Sequence, residues 1–187
     1  MRISISPQYE HLRGDILKVV TGDYIASKVY CHKRNVVEKV CMQGKDYVVK
    51  TYKRPNFFNR LAYTYLRKSK AKRAFLNALR LLDLGIETPA PVAYIEIYNK
   101  GLFSKGYFIS EHVPYHTLDE VFKNKSPESH DLRLKTQFME FSLSLHKKKV
   151  LPLDFNCGNI FYYFDTEKER YNFALTDINR MQFGKTP

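Results

Sequence analysis

Three features of the sequence predict an α+β fold made of two parts. Residues 36–52 read as a β-hairpin, because two runs of β-forming residues flank the turn at 43–46. Residues 67–84 carry apolar side chains at helical spacing, and Gly85 follows as a helix stop signal. A longer helical pattern spans 127–147. Because the order is neither alternating βα nor all-β, we expect an antiparallel β-sheet with one main helix, joined to a mostly helical second part.

Each predicted helix has its own signals. The predicted buried face of the helix at 67–84 consists of Ala71, Phe75, Ala78, Leu79 and Leu82. Thr117 can cap a short helix from Leu118 to about Lys123. Ser126-Pro127 is a strong start for the long helix, which ends near the lysines at 147–149. Its predicted buried face consists of Leu134, Phe138, Phe141 and Leu145.

Five further segments have the composition of short strands. They are 28–31, 92–97, 106–110, 160–164 and 173–176. A connector follows the third of them, at Glu111-His112-Val113. We therefore expect a β-rich first part at 1–111 and a helical second part at 112–187.

The charge balance points to anionic partners. The 187 residues include 31 Lys and Arg against 19 Asp and Glu, which gives a formal net charge of +12. This excess favours a nucleotide, a phosphorylated sugar, an acidic lipid or a nucleic acid, and it also fits a basic protein with solvated lysines. Because no recognised RNA-binding or DNA-binding motif is present, we do not expect nucleic acid as the partner, although a basic nucleic-acid-binding module stays the third hypothesis.

The sequence also predicts a compartment. Cys31, Cys41 and Cys157 are odd in number and lack the spacing of a zinc site, which favours a reducing environment. No signal peptide is visible, and no apolar run approaches the ~18 residues that a membrane span needs. We expect a cytoplasmic protein that can touch the inner face of a membrane.

A basic cluster lies on or just before the helix at 67–84. It consists of Arg67, Lys68, Lys70, Lys72, Arg73 and Arg80. One interpretation is that it attracts phosphorylated lipid A or the anionic inner leaflet. The other is that it forms the solvated face of an amphipathic helix.

Three polar residues near the end of the chain suggest phosphoryl transfer. Asp154 and Asn159 lie in the loop after the long helix, and Asp177 follows the next pair of strands. Phosphoryl transfer needs one carboxylate to accept or orient the acceptor hydroxyl, and a carboxamide and a second carboxylate to hold Mg²⁺. Each residue alone also fits an ordinary turn, but the three in this order favour the catalytic interpretation.

Lys50 completes the set. Strand alternation puts Lys50 on one face and Val49 and Thr51 on the other. A kinase needs a lysine here to pair with the α- and β-phosphates of ATP. A surface lysine is the alternative, and the position before a helix and a connector favours the phosphate role.

On these residues the chain resembles the lipopolysaccharide kinases of the Kdo/WaaP type, within the protein-kinase-like superfamily. The resemblance runs from about Lys28 to the end and is most specific at 53–89 and 154–180. Asp177-x-x-Arg180 is similar to the metal-binding segment of this group rather than to the Asp-Phe-Gly of protein kinases. The resemblance implies a bilobal protein-kinase-like fold, whose helical lobe is expected to be incomplete because the chain stops soon after Asp177.

The resemblance also implies roles for single residues. Asp154 would be the catalytic base, Asn159 and Asp177 would be ligands of Mg²⁺, and Lys50 would be the phosphate lysine. The cofactors would be ATP and Mg²⁺, and the acceptor would be an anionic glycolipid or a sugar of the lipopolysaccharide core.

Two segments are implied to bind the rest of the nucleotide. The connector, with Glu111 and Val113, would present backbone groups to adenine. The loop at 32–35, with Lys33 and Arg34, would stand in place of a glycine-rich loop over the phosphates.

Two departures from the family pattern keep a second hypothesis open. No Asp or Glu occurs between Tyr47 and Leu82, so the acid that usually pairs with the phosphate lysine is missing near Lys72 and Ala74. Pro152 stands where a histidine commonly precedes the catalytic aspartate. A pseudokinase that binds nucleotide or a partner without phosphoryl transfer is therefore the alternative.

Overall fold

The computed structural model describes residues 1–32, 35–125 and 127–184. Contacts divide the chain into two units. The first consists of Met1–Leu76 and Ala90–His112, and the second of Asn77–Pro89 and Val113–Pro187. The boundary that we predicted between a β-rich first lobe (1–111) and a helical second lobe (112–187) stays a prediction.

The first unit is built on a six-stranded antiparallel sheet with the order β1-β5-β6-β4-β3-β2. Its strands are β1 (Arg2–Ile5), β2 (Ala26–His32), β3 (Asn35–Met42), β4 (Lys45–Tyr52), β5 (Pro91–Asn99) and β6 (Leu102–Glu111). The predicted hairpin is confirmed as β3 and β4. Its turn residues Gln43 and Gly44 have φ of 48° and 80°, as the favoured two-residue hairpin turn requires.

The first 25 residues contribute more structure than the sequence predicted. After β1, a 3-10 turn (Pro7–Leu12) leads into α1 (Arg13–Thr21). Their buried side chains Leu12, Ile16 and Val19 join the hydrophobic core that packs on the sheet. This segment therefore belongs to the first unit.

Two helices follow β4, namely α2 (Phe57–Tyr65) and α3 (Lys70–Asp83). The helix predicted at 67–84 is confirmed as α3, whereas α2 was not predicted. Three members of the predicted face are buried, namely Ala71, Phe75 and Ala78. The prediction was wrong for Leu79 and Leu82, which are exposed. Ala74 and Leu81 are buried instead. The buried face of α3 therefore includes Ala74 and Leu81 and excludes Leu79.

The second unit contains α4 (Leu118–Phe122) and α5 (Leu132–Lys147) and five short strands. The strands are β7 (His116–Thr117), β8 (Val150–Pro152), β9 (Ile160–Asp165), β10 (Arg170–Leu175) and β11 (Met181–Phe183). They form a three-stranded sheet with the order β10-β9-β7 and a separate pair of β8 with β11. No helix within the described ranges is long and apolar enough to cross a membrane.

The long helix starts later than predicted. A 3-10 turn (Pro127–His130) comes first, and α5 begins at Leu132 because the Asp131 side chain accepts hydrogen bonds from the backbone NH groups of Arg133 and Leu134. Ser126 lies outside the described residues. Of the predicted buried face, Leu134 and Leu145 are fully buried, whereas Phe138 and Phe141 are half-buried.

The prediction for α4 needs one correction. Thr117 occupies the N-cap position, but its side chain makes no capping bond. The hydroxyl instead donates to the Glu120 carboxylate over 2.9 Å. The helix start is therefore not capped in the predicted way.

Candidate active site

One pocket of the second unit is lined by Asp154, Asn159 and Asp177 together. The pocket encloses about 230 Å³, part of which is open to solvent. All of its lining residues come from two segments, 152–160 and 175–181. Three residues that lie up to 23 positions apart in the chain thus share one site.

Backbone hydrogen bonds hold these two segments side by side. At one end β8 pairs with β11, with Pro152 opposite Met181. At the other end β9 pairs with β10, with Ile160 opposite Leu175. Between these ladders, the NH of Leu153 donates to the carbonyl of Arg180, and the NH of Thr176 donates to the carbonyl of Asn159, each over 2.9 Å. The pocket wall is therefore fixed by main-chain bonds rather than by side chains alone.

The loop around Asp154 is tied together by its asparagines. The side-chain amide nitrogens of Asn156 and Asn159 both donate to the Asp154 carbonyl, over 3.1 Å and 3.0 Å. The oxygen of the Asn156 side chain accepts from the NH of Gly158, where the chain forms a 3-10 turn. Because the nitrogen of Asn159 is engaged with the loop, its carboxamide oxygen is the end that can serve a cation.

The Asp154 carboxylate has a cationic partner that the sequence did not reveal. Arg180 donates from Nη1 to Oδ1 of Asp154 over 2.8 Å. The two side chains are 55% and 36% exposed, respectively, so the pair is reachable from solvent. The sequence indicated Arg180 only as part of the Asp177-x-x-Arg180 segment, and no local signal connects it to a residue 26 positions earlier.

Asp177 sits at a sharp change of chain direction. Its φ of 50° is left-handed, which aspartate tolerates better than most residues. Its Oδ1 accepts from the amide nitrogen of Asn179 over 2.7 Å. Ile178 is buried, and its carbonyl accepts from the side chain of Asn77 over 2.7 Å. Asn77 and Asn179 were not predicted, because neither has a spacing that marks it.

The donor set of the pocket fits Mg²⁺. Mg²⁺ prefers oxygen ligands and keeps several waters, so a carboxylate and a carboxamide suffice from the protein. Asn159 and Asp177 offer these groups, and the lining residues include no cysteine or histidine. Within the described residues, no group of three or more His, Cys, Asp or Glu is placed to hold a metal. A cation here would therefore be held by one carboxylate, one carboxamide and water.

Lys50 lies in the first unit, on β4. It is partly buried between Val37 of β3 and Phe108 of β6. Its neighbours Val49 and Thr51 are buried on the opposite face, which confirms the predicted alternation. The other three predicted residues belong to the second unit, so the convergence of all four on one site stays a prediction.

The position of the missing acid is filled in the structure by other residues. Lys72 of α3 lies with its ammonium 5.8 Å from the ring centre of Tyr94, a cation–π contact. Ala74 is buried. The two residues near which the resemblance led us to expect an acid are therefore a cation in contact with an aromatic ring and a buried methyl group.

The connector begins at the end of β6. The NH of Glu111 donates to the Ala90 carbonyl over 2.9 Å. Burial, together with hydrogen bonding to the Glu111 carboxylate, raises the pKa of Tyr9 to about 12. His112 stacks beside Tyr30, and burial lowers the pKa of its imidazole. The Glu111 carboxylate is therefore engaged by Tyr9 and its NH by the Ala90 carbonyl; the nucleotide contact assigned to it stays a prediction.

The other residues assigned to the nucleotide are Val113 and Arg34, with Lys33 in the same loop as Arg34. Val113 follows His112 and is partly exposed. Lys33 and Arg34 lie outside the described residues. The role assigned to Arg34 stays a prediction.

The comparisons with known proteins support the fold. A solved structure of WaaP in complex with acyl carrier protein matches the whole chain with a TM-score of 0.66 and 18% sequence identity, over 75% of the WaaP chain. No protein-family model and no curated protein matches the chain. The match shows that the chain has a kinase-like fold, with the antiparallel sheet and helices that the sequence predicted.

Proposed function

We propose that the chain is an ATP-dependent phosphotransferase that acts on a sugar hydroxyl of the lipopolysaccharide-core type. The observation that carries this proposal is the shared pocket of Asp154, Asn159 and Asp177, whose walls are fixed by main-chain hydrogen bonds. The kinase-like fold supports it, although fold alone does not determine function.

Each pocket residue has a distinct task in this proposal. Asp154 accepts the proton of the acceptor hydroxyl as the hydroxyl oxygen bonds to the γ-phosphorus. The bond between the γ-phosphorus and the β–γ bridging oxygen breaks in the same transfer, and ADP leaves. Arg180 holds the Asp154 carboxylate in place through its 2.8 Å hydrogen bond. Asn159 and Asp177 would hold Mg²⁺, which, when bound, neutralises charge on the β- and γ-phosphates.

Four residues would hold the nucleotide. Lys50 would pair with the α- and β-phosphates, and Arg34 would lie over them. Backbone groups at Glu111 and Val113 would bind adenine. The cysteines indicate a reducing environment, and the proposed cofactor is ATP. Both fit the cytoplasm, so we propose a cytoplasmic location.

The net positive charge of the chain is the basis for the proposed acceptor. The formal net charge of +12 favours an anionic glycolipid or phosphorylated sugar over a neutral substrate.

The test is ADP release with a lipopolysaccharide core oligosaccharide, with and without Mg²⁺. We expect Asp154→Asn and Asp177→Asn each to lower kcat by about 100-fold or more, because the first removes the proton acceptor of the transfer and the second removes a carboxylate proposed to hold Mg²⁺. Asp119→Asn is the matched control, since Asp119 lies on α4 in an exposed ion pair with Lys123. Wild-type turnover in both pocket variants would contradict the assigned roles.

A pseudokinase is the second candidate. It is favoured by the lack of any acidic residue from 47 to 82, because the resemblance implies an acid in this range that would orient Lys50. Thermal stabilisation by ATP and Mg²⁺, with no turnover on any acceptor, would select the pseudokinase. If ATP and Mg²⁺ gave no stabilisation, the result would count against both candidates.

A further inference from the structure

Helix α2 has its polar side turned toward the protein. Arg60 is buried and donates from Nε to the Phe103 carbonyl over 2.8 Å. The Thr64 hydroxyl accepts from the NH of Phe103 over 2.9 Å and donates to the Arg60 carbonyl over 2.7 Å. The helix is thus fastened to β6 by hydrogen bonds, together with the packing of the Tyr63 ring against the Phe103 ring at 5.3 Å between ring centres.

The opposite side of α2 is apolar and exposed. Phe58, Tyr65 and Leu66 are 81%, 71% and 83% exposed. Leu61 is also exposed and lies on the same side by the helical period. Phe57, at the start of the helix, is exposed at the edge of this side, where its ring contacts that of Phe58. A surface helix normally shows the reverse arrangement, so this contiguous apolar face points to a binding surface. We call these five residues the docking face.

The docking face is carried by a well-defined helix. The Asn56 side chain caps the first turn by accepting from the NH of Asn59 over 3.0 Å. At the other end, the guanidinium of Arg67 lies 4.7 Å from the ring centre of Tyr63 and also donates to the Asn59 side chain. The apolar side chains are therefore presented at fixed positions.

Basic residues flank the docking face on both sides. Lys53 and Arg54 precede α2, Arg67 and Lys68 follow it, and all four are exposed. No acidic residue occurs from 47 to 82. The apolar side chains favour a partner with an apolar region, and the flanking cations favour one that also carries negative charge.

We propose that the docking face lies in the interface of an anionic lipid bilayer. A single helix with aromatic and leucine side chains on one side and cations around it suits insertion to the depth of the headgroup boundary. Each cation near an anionic leaflet adds to the attraction. The polar anchors at Arg60 and Thr64 allow the helix to keep its place on the sheet while its apolar side enters the bilayer.

Vesicle binding by the full chain tests this inference directly. We expect co-sedimentation with phosphatidylcholine vesicles that contain roughly a third phosphatidylglycerol, and little with phosphatidylcholine alone. Phe58→Ser combined with Leu66→Ser should weaken binding at least tenfold. Lys53→Gln combined with Lys68→Gln should weaken it and reduce its salt dependence. Leu143→Ser, which removes an exposed leucine of α5, is the control and should bind like the wild type.

A spectroscopic variant separates insertion from mere attraction. The chain contains no tryptophan, so Phe58→Trp introduces a single indole at the docking face. Its emission should shift to shorter wavelength with anionic vesicles. Unchanged emission in sedimenting protein, or full binding by the double serine variant, would overturn the proposal. A blue shift with an acidic protein such as acyl carrier protein, but with no vesicle, would overturn it in favour of a protein partner.

These measurements need no phosphoryl transfer. Their failure would leave the pocket variants Asp154→Asn and Asp177→Asn as a separate test of the proposed function. Circular dichroism of each variant checks that a loss of binding does not reflect unfolding.

Discussion

Arg180 and Asp154 form a 2.8 Å ion pair across the candidate active site. The pair links the segment that follows Asp177 to the loop that carries the proposed catalytic base. A main-chain hydrogen bond joins the same two segments, from the NH of Leu153 to the carbonyl of Arg180. The orientation of the Asp154 carboxylate is thus set by a residue far away in the sequence.

The first prediction concerns this pair. Arg180→Gln should lower kcat by about 10- to 100-fold through misplacement of the Asp154 carboxylate, with a smaller change in the KM for ATP. Stability should change by less than about 1 kcal/mol, because exposed ion pairs contribute little. Steady-state kinetics and urea unfolding measure the two effects.

Lys123→Gln is the matched control, because it breaks an exposed ion pair with Asp119 on α4. Arg180→Lys should recover part of the activity, since it keeps the charge but loses the planar guanidinium geometry. An unchanged kcat in Arg180→Gln would show that Asp154 does not need this partner.

Asp154, Asn159 and Asp177 could be predicted from the sequence because their residue types and their order are visible within one short stretch of chain. Asp154 and Asn159 share one loop, and Asp177 follows the next strand pair, so a short stretch of chain contains them. Arg180 was missed as a partner because its contact with Asp154 depends on the β8–β11 pairing, which no short-range pattern indicates. The roles of these residues remain predictions.

The fold was predictable where local signals and packing agree. The β3–β4 hairpin follows from its turn residues, and α3 from its apolar period. Helix α2 was missed because its buried side is held by Arg60 and Thr64, which reverses the usual pattern. The start of α5 was misplaced because the capping bonds of Asp131 outweighed the preference of Pro127 for a helix start.

The second prediction is a pH dependence that arises from Asp131. The Tyr171 hydroxyl donates to this carboxylate over 2.7 Å, and this bond, together with the backbone NH groups of Arg133 and Leu134, lowers the pKa of Asp131 below its usual value of 3.8. Because the folded state favours the ionised form, the stabilisation is present above about pH 3.8 and is lost as the pH falls through the lower folded-state pKa.

Unfolding of Asp131→Asn at several pH values checks this. The variant should be less stable than the wild type by about 1 kcal/mol near neutral pH, and the difference should shrink in acid. Asparagine keeps a capping oxygen, so the cap is preserved while the charge and the oxygen that accepts from Tyr171 are removed. A difference that stays constant down to pH 3 would contradict the prediction.

The third prediction concerns the anchor of α2. Arg60→Met should destabilise the protein by about 1 to 3 kcal/mol, because it leaves the buried carbonyl of Phe103 without its guanidinium donor. Arg54→Met removes an exposed arginine just before α2 and should have almost no effect. Urea unfolding of the two variants measures the contrast, and equal stabilities would show that the buried guanidinium is dispensable.

The fourth prediction uses two glycines with opposite expectations. A Cβ at Gly106 would lie 3.2 Å from the Ala71 Cβ and 3.3 Å from the Phe103 ring, so Gly106→Ala should force α3 and β6 apart and cost about 1 to 3 kcal/mol. A Cβ at Gly14, within α1, would meet nothing within 4 Å, so Gly14→Ala should stabilise the protein by about 0.5 to 1 kcal/mol. Combining Gly106→Ala with Ala71→Gly removes the closer contact, so the two changes together should cost less than the sum of their separate costs. The single variant Ala71→Gly supplies its own cost in the helix, about 1 kcal/mol. If the two costs simply added, crowding against α3 would not be the cause, and the Phe103 ring would have to account for the loss.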